Sequence, residues 1–261
     1  MKNLLLLLLV VFASTAFAQK AKTEAWFCPM CNSDCDKLQF AVAGKCNHCN
    51  MALIKMSIEE RKKQMDWKPM TVAFYLQDGV EVLDFAGPME VFVYAGFKVF
   101  TVSRTKDPII SQGVLKITPE YSINNAPPSD IVAFFGGNGQ NAFGDDVVKW
   151  LTGRTSSTKY LFSVCTGAFA LGKAGVLDGQ TVTTFHSSID ALRTQFPKAK
   201  VLDNVRFVDN GKVITTAGIS AGIDGALHMV AKLRGETVAK ETAFYMEYDK
   251  WKPGEGLIVS K

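Results

Sequence analysis

Lys159-Tyr-Leu-Phe-Ser-Val-Cys165-Thr-Gly-Ala-Phe-Ala-Leu-Gly172 joins a short apolar run, a cysteine and an apolar-periodic segment. The run predicts a buried strand, and Thr166-Gly167 opens a predicted helix. A cysteine at such a turn lies at the positive end of the helix dipole, which favours the thiolate and leaves N–H groups for an anion. Serine hydrolases place their nucleophile similarly, although Ser163 stands where their pattern has glycine. A buried, inert cysteine is the alternative.

Strand-like and helix-like segments alternate on both sides of this stretch. The predicted strands cover residues 71–76, 97–102, 130–135, 181–184, 205–208 and 212–216. The predicted helices cover residues 84–95, 145–151, 187–195, 219–233 and 236–248. This alternation predicts an α/β fold with a mostly parallel sheet and helices on both faces.

Three features follow predicted strands of this sheet: Asp84, the pair Gly136-Gly137, and Cys165. Open parallel sheets bind ligands at the carboxyl ends of their strands. The N–H groups of Gly137 and Thr166 are therefore candidates for an oxyanion site beside the cysteine. Taken singly, Asp84 is equally typical of a helix-initiating residue, and the glycine pair of an ordinary turn.

The amino terminus has the features of a secretory signal peptide. Met1-Lys-Asn is basic, residues 4–12 are apolar, and residues 16–18 form a small-x-small cleavage site. The apolar core is too short to span a bilayer. We therefore expect a signal peptide over residues 1–18 and an exported protein, periplasmic or secreted, with no membrane element after its removal. The net charge of +4 is spread along the chain, which argues against a nucleic-acid partner.

Five of the six cysteines lie between positions 28 and 49. Two Cys-x-x-Cys pairs with 14 residues between them are typical of a zinc-ribbon-like module with four thiolate ligands. The predicted ligands of a zinc or copper ion are Cys28, Cys31, Cys46 and Cys49. Spare soft ligands nearby are Cys35, His48 and Met51, of which the cysteine and the methionine would also suit Cu(I). Since export implies an oxidising compartment, a disulfide-stapled module is the alternative.

This segment, residues 25–56, resembles the small heavy-metal-binding domain of bacterial metal-handling proteins. The resemblance rests on Cys28-Pro-Met30 and on Gly44-Lys-Cys-Asn-His-Cys-Asn-Met-Ala-Leu53. Cys31 replaces the family's histidine, and Asn50 its glycine. After it, Ser57-Ile-Glu-Glu60 has the form of a capping box and begins a predicted linker helix within residues 57–69.

Residues 71–233 resemble the ThiJ/PfpI superfamily, close to its isonitrile-hydratase-like branch. The matching motifs lie at residues 79–92, 136–139, 164–168, 171–179 and 215–224. The resemblance implies a flavodoxin-like α/β domain over residues 70–235, without a cofactor, followed by a C-terminal helix and tail over residues 236–261. It also implies a homodimer that binds a small-molecule substrate.

The resemblance further implies roles for single residues. Cys165 corresponds to the nucleophile of isonitrile hydratases, Asp84 to the acid beside it, and Thr166 to an assisting hydroxyl. An acid next to a thiolate must hold or share a proton. The hydratase pattern Thr-x-His-Trp reads Thr183-Thr184-Phe185-His186 here. His186 is a further candidate, because a cysteine nucleophile often has a histidine partner distant in sequence.

Together these features predict an exported protein with a metal-binding module and a cysteine-dependent hydratase or hydrolase of a small electrophilic substrate. The alternative is a non-catalytic redox or ligand sensor, or a metal-handling protein, in which Cys165 oxidises reversibly. The domain also occurs in AraC-type regulators. We disfavour DNA-bound regulation because of the predicted export and because we recognise no DNA-binding half.

Overall fold

The computed structural model describes residues 24–30, 33–138 and 142–259 of the chain. It divides into two compact units, Met1–Asp66 and Trp67–Lys261. The signal peptide predicted for residues 1–18 lies outside the described residues. Every helix within the described ranges is too short or too polar to cross a membrane.

The described part of the first unit contains a three-stranded antiparallel sheet. In chain order its strands are β1 (Glu24–Phe27), β2 (Gln39–Phe40) and β3 (Ile54–Ser57). The central strand is β1, which pairs with both others. A 3-10 helix, Asp34–Lys37, precedes β2. Cys35 lies in this short helix, and Cys28 directly follows β1.

One helix, α1 (Ile58–Met65), follows β3 directly. It begins with the predicted capping box, in which the Glu60 N–H donates to Ser57 Oγ at 3.1 Å. The sequence predicts a linker here, but α1 belongs to the first unit. It is anchored there because the buried Arg61 donates to the Asp36 carbonyl through both Nε and Nη2.

The second unit alternates strands and helices. Its described strands are β4 (Thr71–Tyr75), β5 (Lys98–Ser103), β6 (Ile109–Ser111), β7 (Leu115–Ile117), β8 (Tyr121–Ser122), β9 (Ile131–Phe134), β10 (Tyr160–Val164), β11 (Thr181–Val182), β12 (Lys200–Val201), β13 (Phe207–Asp209), β14 (Val213–Thr216) and β15 (Leu257–Ile258). Its described helices are α2 (Val82–Tyr94), α3 (Asp145–Arg154), α4 (Ala168–Lys173), α5 (Ile189–Gln195), α6 (Ala221–Arg234) and α7 (Glu236–Tyr245).

Eight of these strands form the main sheet, in the order β15-β13-β14-β10-β9-β4-β5-β8. All neighbours are parallel except β13 and β14, which form an antiparallel hairpin. The α/β prediction with a mostly parallel sheet is therefore confirmed. The edge strand β15 was not predicted, because two residues in a polar tail carry no strand pattern.

Helices cover both faces of this sheet, as alternate residues of β4 show. Val72 and Phe74 pack into a core that includes α2, α6 and α7. Ala73 and Tyr75 pack into a second core with α3, α4 and α5. Because successive side chains of a strand point to opposite faces, a strand covered on both sides must be apolar throughout.

Asp209, at the end of β13, joins that strand to α6 through a buried polar cluster. Its carboxylate is 1% exposed and accepts hydrogen bonds from His228 Nε2 at 2.7 Å and Lys232 Nζ at 2.8 Å. Burial raises the pKa of Asp209, but these bonds and the Gly211 N–H outweigh it and hold the pKa at about 2. The Asp209 charge therefore stabilises the fold above about pH 4, and this contribution is lost as the pH falls towards 2.

Asp209→Asn is expected to lower the free energy of unfolding at pH 7 by about 3 kcal/mol, because it leaves the Lys232 charge partly buried without a carboxylate. Urea denaturation measures the change. The control is Asp190→Asn, whose exposed pair with Arg193 should contribute less than about 0.5 kcal/mol. Equal effects of the two substitutions would show that the Asp209 cluster is not a stabilising element.

Candidate functional site

Cys165 stands at the sharp turn between β10 and α4. Its φ is +58°, a left-handed conformation that is uncommon for a residue with a side chain. Two hydrogen bonds hold this strained residue: its N–H donates to the Ala217 carbonyl, and Thr184 Oγ1 donates to its carbonyl at 2.7 Å. At Gly167 a Cβ would lie 2.3 Å from the Phe134 carbonyl oxygen, so the turn requires glycine there. The predicted strand-turn-helix is confirmed.

Asp84, in the first turn of α2, lies beside this thiol and is fully buried. Its carboxylate accepts N–H hydrogen bonds from Gly136 at 2.8 Å and Ile219 at 3.0 Å. The Cys165 thiol is close enough to lower the pKa of Asp84, and the Asp84 carboxylate in turn raises the pKa of Cys165. Because these partners belong to other segments, the interpretation of Asp84 as only a helix-initiating residue is wrong.

Thr166 completes the surroundings of the Cys165 sulfur. Its N–H and its hydroxyl both lie close to Cys165 Sγ, and both lower the pKa of the thiol. The Gly137 N–H in turn donates to Thr166 Oγ1 at 3.3 Å, so the hydrogen of this hydroxyl points away from Gly137. Of the two N–H groups predicted for an oxyanion site, that of Thr166 thus lies beside the sulfur, and that of Gly137 is bonded to the Thr166 hydroxyl.

Burial is the main factor that decides where the protons of the Asp84–Cys165 pair lie. Burial raises the pKa of Asp84 to about 6, although the N–H groups of Gly136 and Ile219 oppose it. Burial, followed by the Asp84 charge, raises the pKa of Cys165 to about 12 despite Thr166. The expectation that the helix dipole favours a thiolate is therefore wrong for the resting pair. At neutral pH the pair holds one proton, on sulfur, and its transfer to Asp84 leaves the total charge unchanged.

The backbone closes tightly over this sulfur at Gly136. A Cβ there would lie 2.8 Å from Cys165 Sγ and 2.6 Å from Thr166 Oγ1. Gly136→Ala should therefore displace both groups and slow alkylation of Cys165 by iodoacetamide about 100-fold. The matched control is Gly153→Ala in α3, where an added Cβ meets nothing within 4 Å. Equal alkylation rates in the wild type and Gly136→Ala would mean that Cys165 and Thr166 accommodate the added methyl group without being displaced.

A depression of about 350 Å³ opens beside Gly137 and Thr166, a size that suits a small molecule. Its walls combine aromatic and polar side chains. The lining residues are Gln77, Gly137, Ala142, Phe143, Thr166, Phe169, Lys173 and Gln195.

His186 is exposed on a 3-10 helix, with its ring 4.2 Å from that of Phe185. It lines a different depression, of about 510 Å³. Within the part of the chain that the structure describes, Thr184 of this segment hydrogen-bonds to Cys165. The sequence alone did not single out Thr184, because a hydrogen bond from a hydroxyl to a carbonyl in a distant segment leaves no local pattern.

In the first unit, four buried or half-buried cysteine sulfurs lie within 4.8 Å of one another. They belong to Cys28, Cys35, Cys46 and Cys49. The predicted ligand Cys31 lies outside the described residues, whereas Cys35, considered a spare ligand, is in the cluster. Three of the four, Cys28, Cys46 and Cys49, are among the ligands predicted from the spacing of the cysteines.

The chemistry of these residues fits a thiophilic metal ion. A tetrahedral zinc site with Zn–S bonds of about 2.3 Å has sulfurs ~3.8 Å apart. Cys28 Sγ lies 3.1 Å from Cys49 Sγ and 3.8 Å from Cys35 Sγ. The N–H groups of Cys49 and His48 lower the pKa of Cys46 to about 6, whereas burial raises the pKa of Cys28. The thiolate that a metal requires is therefore favoured at Cys46 and opposed at Cys28.

Both the cysteine-rich segment and the α/β domain match known protein families. Residues 70–232 match the DJ-1/PfpI family, and residues 25–56 match the heavy metal binding domain. The chain belongs to the DJ-1/PfpI family and carries a heavy metal binding domain before it.

Individual relatives differ in what they are called. An isonitrile hydratase from Pseudomonas putida is 31% identical over 182 residues, covering 69% of this chain and 78% of the relative. A crystal structure of a ThiJ/PfpI family protein from Pseudomonas syringae has a TM-score of 0.65 at 30% identity, covering 71% of this chain and 78% of that one. The transcriptional regulator GbdR of Pseudomonas aeruginosa is 25% identical, and the match covers 70% of this chain but 52% of the regulator.

Proposed function

We propose that the DJ-1/PfpI domain is a cysteine-dependent hydratase or hydrolase that acts on small electrophilic substrates such as isonitriles. The observation that carries this proposal is the contact of the Cys165 thiol with the buried Asp84 carboxylate and with both donors of Thr166. A nucleophile needs a base within hydrogen-bonding reach, and these residues supply one. The likeness to isonitrile hydratase supports the same choice of substrate.

The geometry accounts for each proton in isonitrile hydration. The thiol proton moves to Asp84 as Cys165 Sγ attacks the isonitrile carbon, and Asp84 returns it to that carbon, giving a thioimidate. The donors of Thr166 stabilise the sulfur while it carries negative charge. Water then adds across the C=N bond, with its oxygen on carbon and a proton on nitrogen. Collapse releases an N-substituted formamide and restores the Cys165 thiol.

A panel of alkyl and aryl isonitriles, aldehydes and amides tests this proposal, with formamide, acid or hydrate products followed by NMR. We expect the wild type to form N-substituted formamide, and a transient adduct with the combined mass of protein and isonitrile. The Cys165→Ala variant gives the background rate. A wild-type rate no higher than that background, across the whole panel, would contradict the enzyme proposal.

A redox sensor is the competing function for Cys165. Sensor cysteines combine exposure with a low pKa. Cys165 is only 6% exposed, and burial raises its pKa. These properties support catalysis, with proton transfer to Asp84, over direct oxidation of a free thiolate.

We propose that the N-terminal module binds a thiophilic metal ion, zinc or copper, through its cysteine cluster. The module's family match and the four converging sulfurs support this proposal. Elemental analysis of protein purified without chelator tests it, with one ion per chain expected. Absence of metal, together with disulfides found by mass spectrometry, would replace it with the stapled-module alternative.

We also propose that the protein is exported after removal of residues 1–18 and forms a homodimer. The signal-peptide pattern supports export, and the family resemblance supports the dimer. Mass spectrometry of protein from the periplasmic and culture fractions should find a chain beginning near Gln19. Light scattering should give twice the chain mass, and a single-chain mass would contradict the dimer.

A further inference from the structure

We infer that Arg61 positions Cys35 as a thiolate ligand of the metal site, beside Cys28, Cys46 and Cys49. This inference rests on the proposed metal binding. Arg61 belongs to α1, which lies beyond the matched residues 25–56 of the heavy metal binding domain. The functional module therefore extends through α1.

Arg61 holds the chain immediately after Cys35. Its Nε and Nη2 donate to the Asp36 carbonyl at 3.1 and 2.5 Å, and its Nη1 donates to Gln64 Oε1 at 3.1 Å. Arg61 is only 4% exposed. A buried guanidinium is costly unless its donors are satisfied, so this forked contact fixes the Asp36 carbonyl in one place.

The same guanidinium also contacts the residue immediately before Cys28. Its central carbon lies 5.4 Å from the centre of the Phe27 ring. One side chain thus touches both segments that carry Cys28 and Cys35, whose sulfurs are 3.8 Å apart. That separation equals the ~3.8 Å edge of a tetrahedral zinc–thiolate site.

The 3-10 helix Asp34–Lys37 turns Cys35 inwards. The Asp36 N–H donates to the Ser33 carbonyl at 3.0 Å, and the Leu38 N–H to the Cys35 carbonyl at 3.1 Å. Cys35 is completely buried by this turn. Backbone bonds therefore set the direction of the Cys35 side chain, and Arg61 sets the position of the turn relative to Cys28.

The ligand assignment is tested by Cys35→Ser in the full chain under reducing conditions, with Lys37→Ala, an exposed residue of the same 3-10 helix, as the control. Zinc affinity is measured by competition with a chromophoric chelator, and the thiolate number by the charge-transfer absorption of bound Co²⁺. We expect Cys35→Ser to weaken zinc binding at least about 100-fold and to remove about a quarter of that absorption. Lys37→Ala should match the wild type in both measurements.

The positioning role is tested by Arg61→Leu and Arg61→Lys. Loss of an outer contact typically weakens metal binding by about 10- to 100-fold. We expect about 100-fold for Arg61→Leu and about 10-fold for Arg61→Lys, whose ammonium can still reach one carbonyl, with the four-thiolate Co²⁺ spectrum kept at saturation in both. Lys63→Ala, on the exposed side of the same helix and paired with Glu59, is the control and should change nothing.

These outcomes distinguish a failure of the roles given to Arg61 and Cys35 from a failure of metal binding itself. A wild type that binds neither Zn²⁺ nor Co²⁺ would overturn metal binding itself. A wild type that binds, with Cys35→Ser keeping wild-type zinc affinity and Co²⁺ absorption, would overturn the ligand assignment alone. Wild-type affinity in Arg61→Lys would overturn the positioning role, even if Arg61→Leu cannot be purified.

Discussion

Cys165→Ser is expected to reduce the turnover of every isonitrile substrate about 10⁴-fold or more, which is the usual effect of removing an enzyme's nucleophile. The reason lies in the acid opposite it. Asp84, with a pKa of about 6, can accept a thiol proton as the carbon–sulfur bond forms. A serine hydroxyl is a much weaker acid than a thiol, so the same carboxylate cannot take its proton. Initial rates of formamide formation measure the loss.

The structure offers a close control for this substitution. Ser163 lies two residues earlier on β10 and is fully buried, and its hydroxyl has no hydrogen-bond partner among the described residues. Ser163→Ala should therefore keep wild-type turnover, and both variants should unfold at the wild-type temperature. Substantial turnover by Cys165→Ser would mean that another group attacks the substrate.

Asp84→Asn is the second large effect, with an expected loss in kcat/KM of about 10²- to 10⁴-fold, the usual contribution of a general acid–base residue. The pH profile makes the prediction specific. Below about pH 6 both Asp84 and Cys165 are protonated and the thiol has no base. Wild-type kcat/KM should therefore rise with pH through about 6. It should then stay level towards the thiol's own pKa of about 12.

In Asp84→Asn the rise near pH 6 should vanish together with the rate. Glu90→Gln, an exposed carboxylate on the same helix, should keep both the rate and the rise. A rise near pH 6 that survives in Asp84→Asn would assign this titration to another group. Because burial raises the pKa of Asp84, its charge lowers stability above pH 6, and that cost is relieved as the pH falls towards 4.

The elbow at Cys165 was predictable because its information is local. An apolar run followed by Thr166-Gly167 specifies a strand that turns into a helix, and the tight approach at Gly167 admits only glycine. The protonation of the thiol was not predictable in this way. Local dipoles favour a thiolate, whereas the burial of Cys165 and the charge of Asp84, brought in from α2, raise its pKa.

The cysteine module shows the same division. Spacing of the cysteines was enough to predict a cluster of soft ligands, and Cys28, Cys46 and Cys49 do converge. Spacing did not identify Cys35 as a member of the described cluster. Its direction depends on a 3-10 turn and on the contact of Arg61 with Asp36, 25 residues apart in sequence.

By itself, the amino-acid sequence determined the alternation of strands and helices, the cysteine at the turn and the presence of a thiol-rich module. These properties follow from periodicity and from residues that are neighbours in the chain. The tertiary structure alone decided which groups surround each sulfur. Asp84 reaches Cys165, and His186 lies exposed, because the strand order of the sheet determines which distant segments meet. Burial then determines where their protons reside.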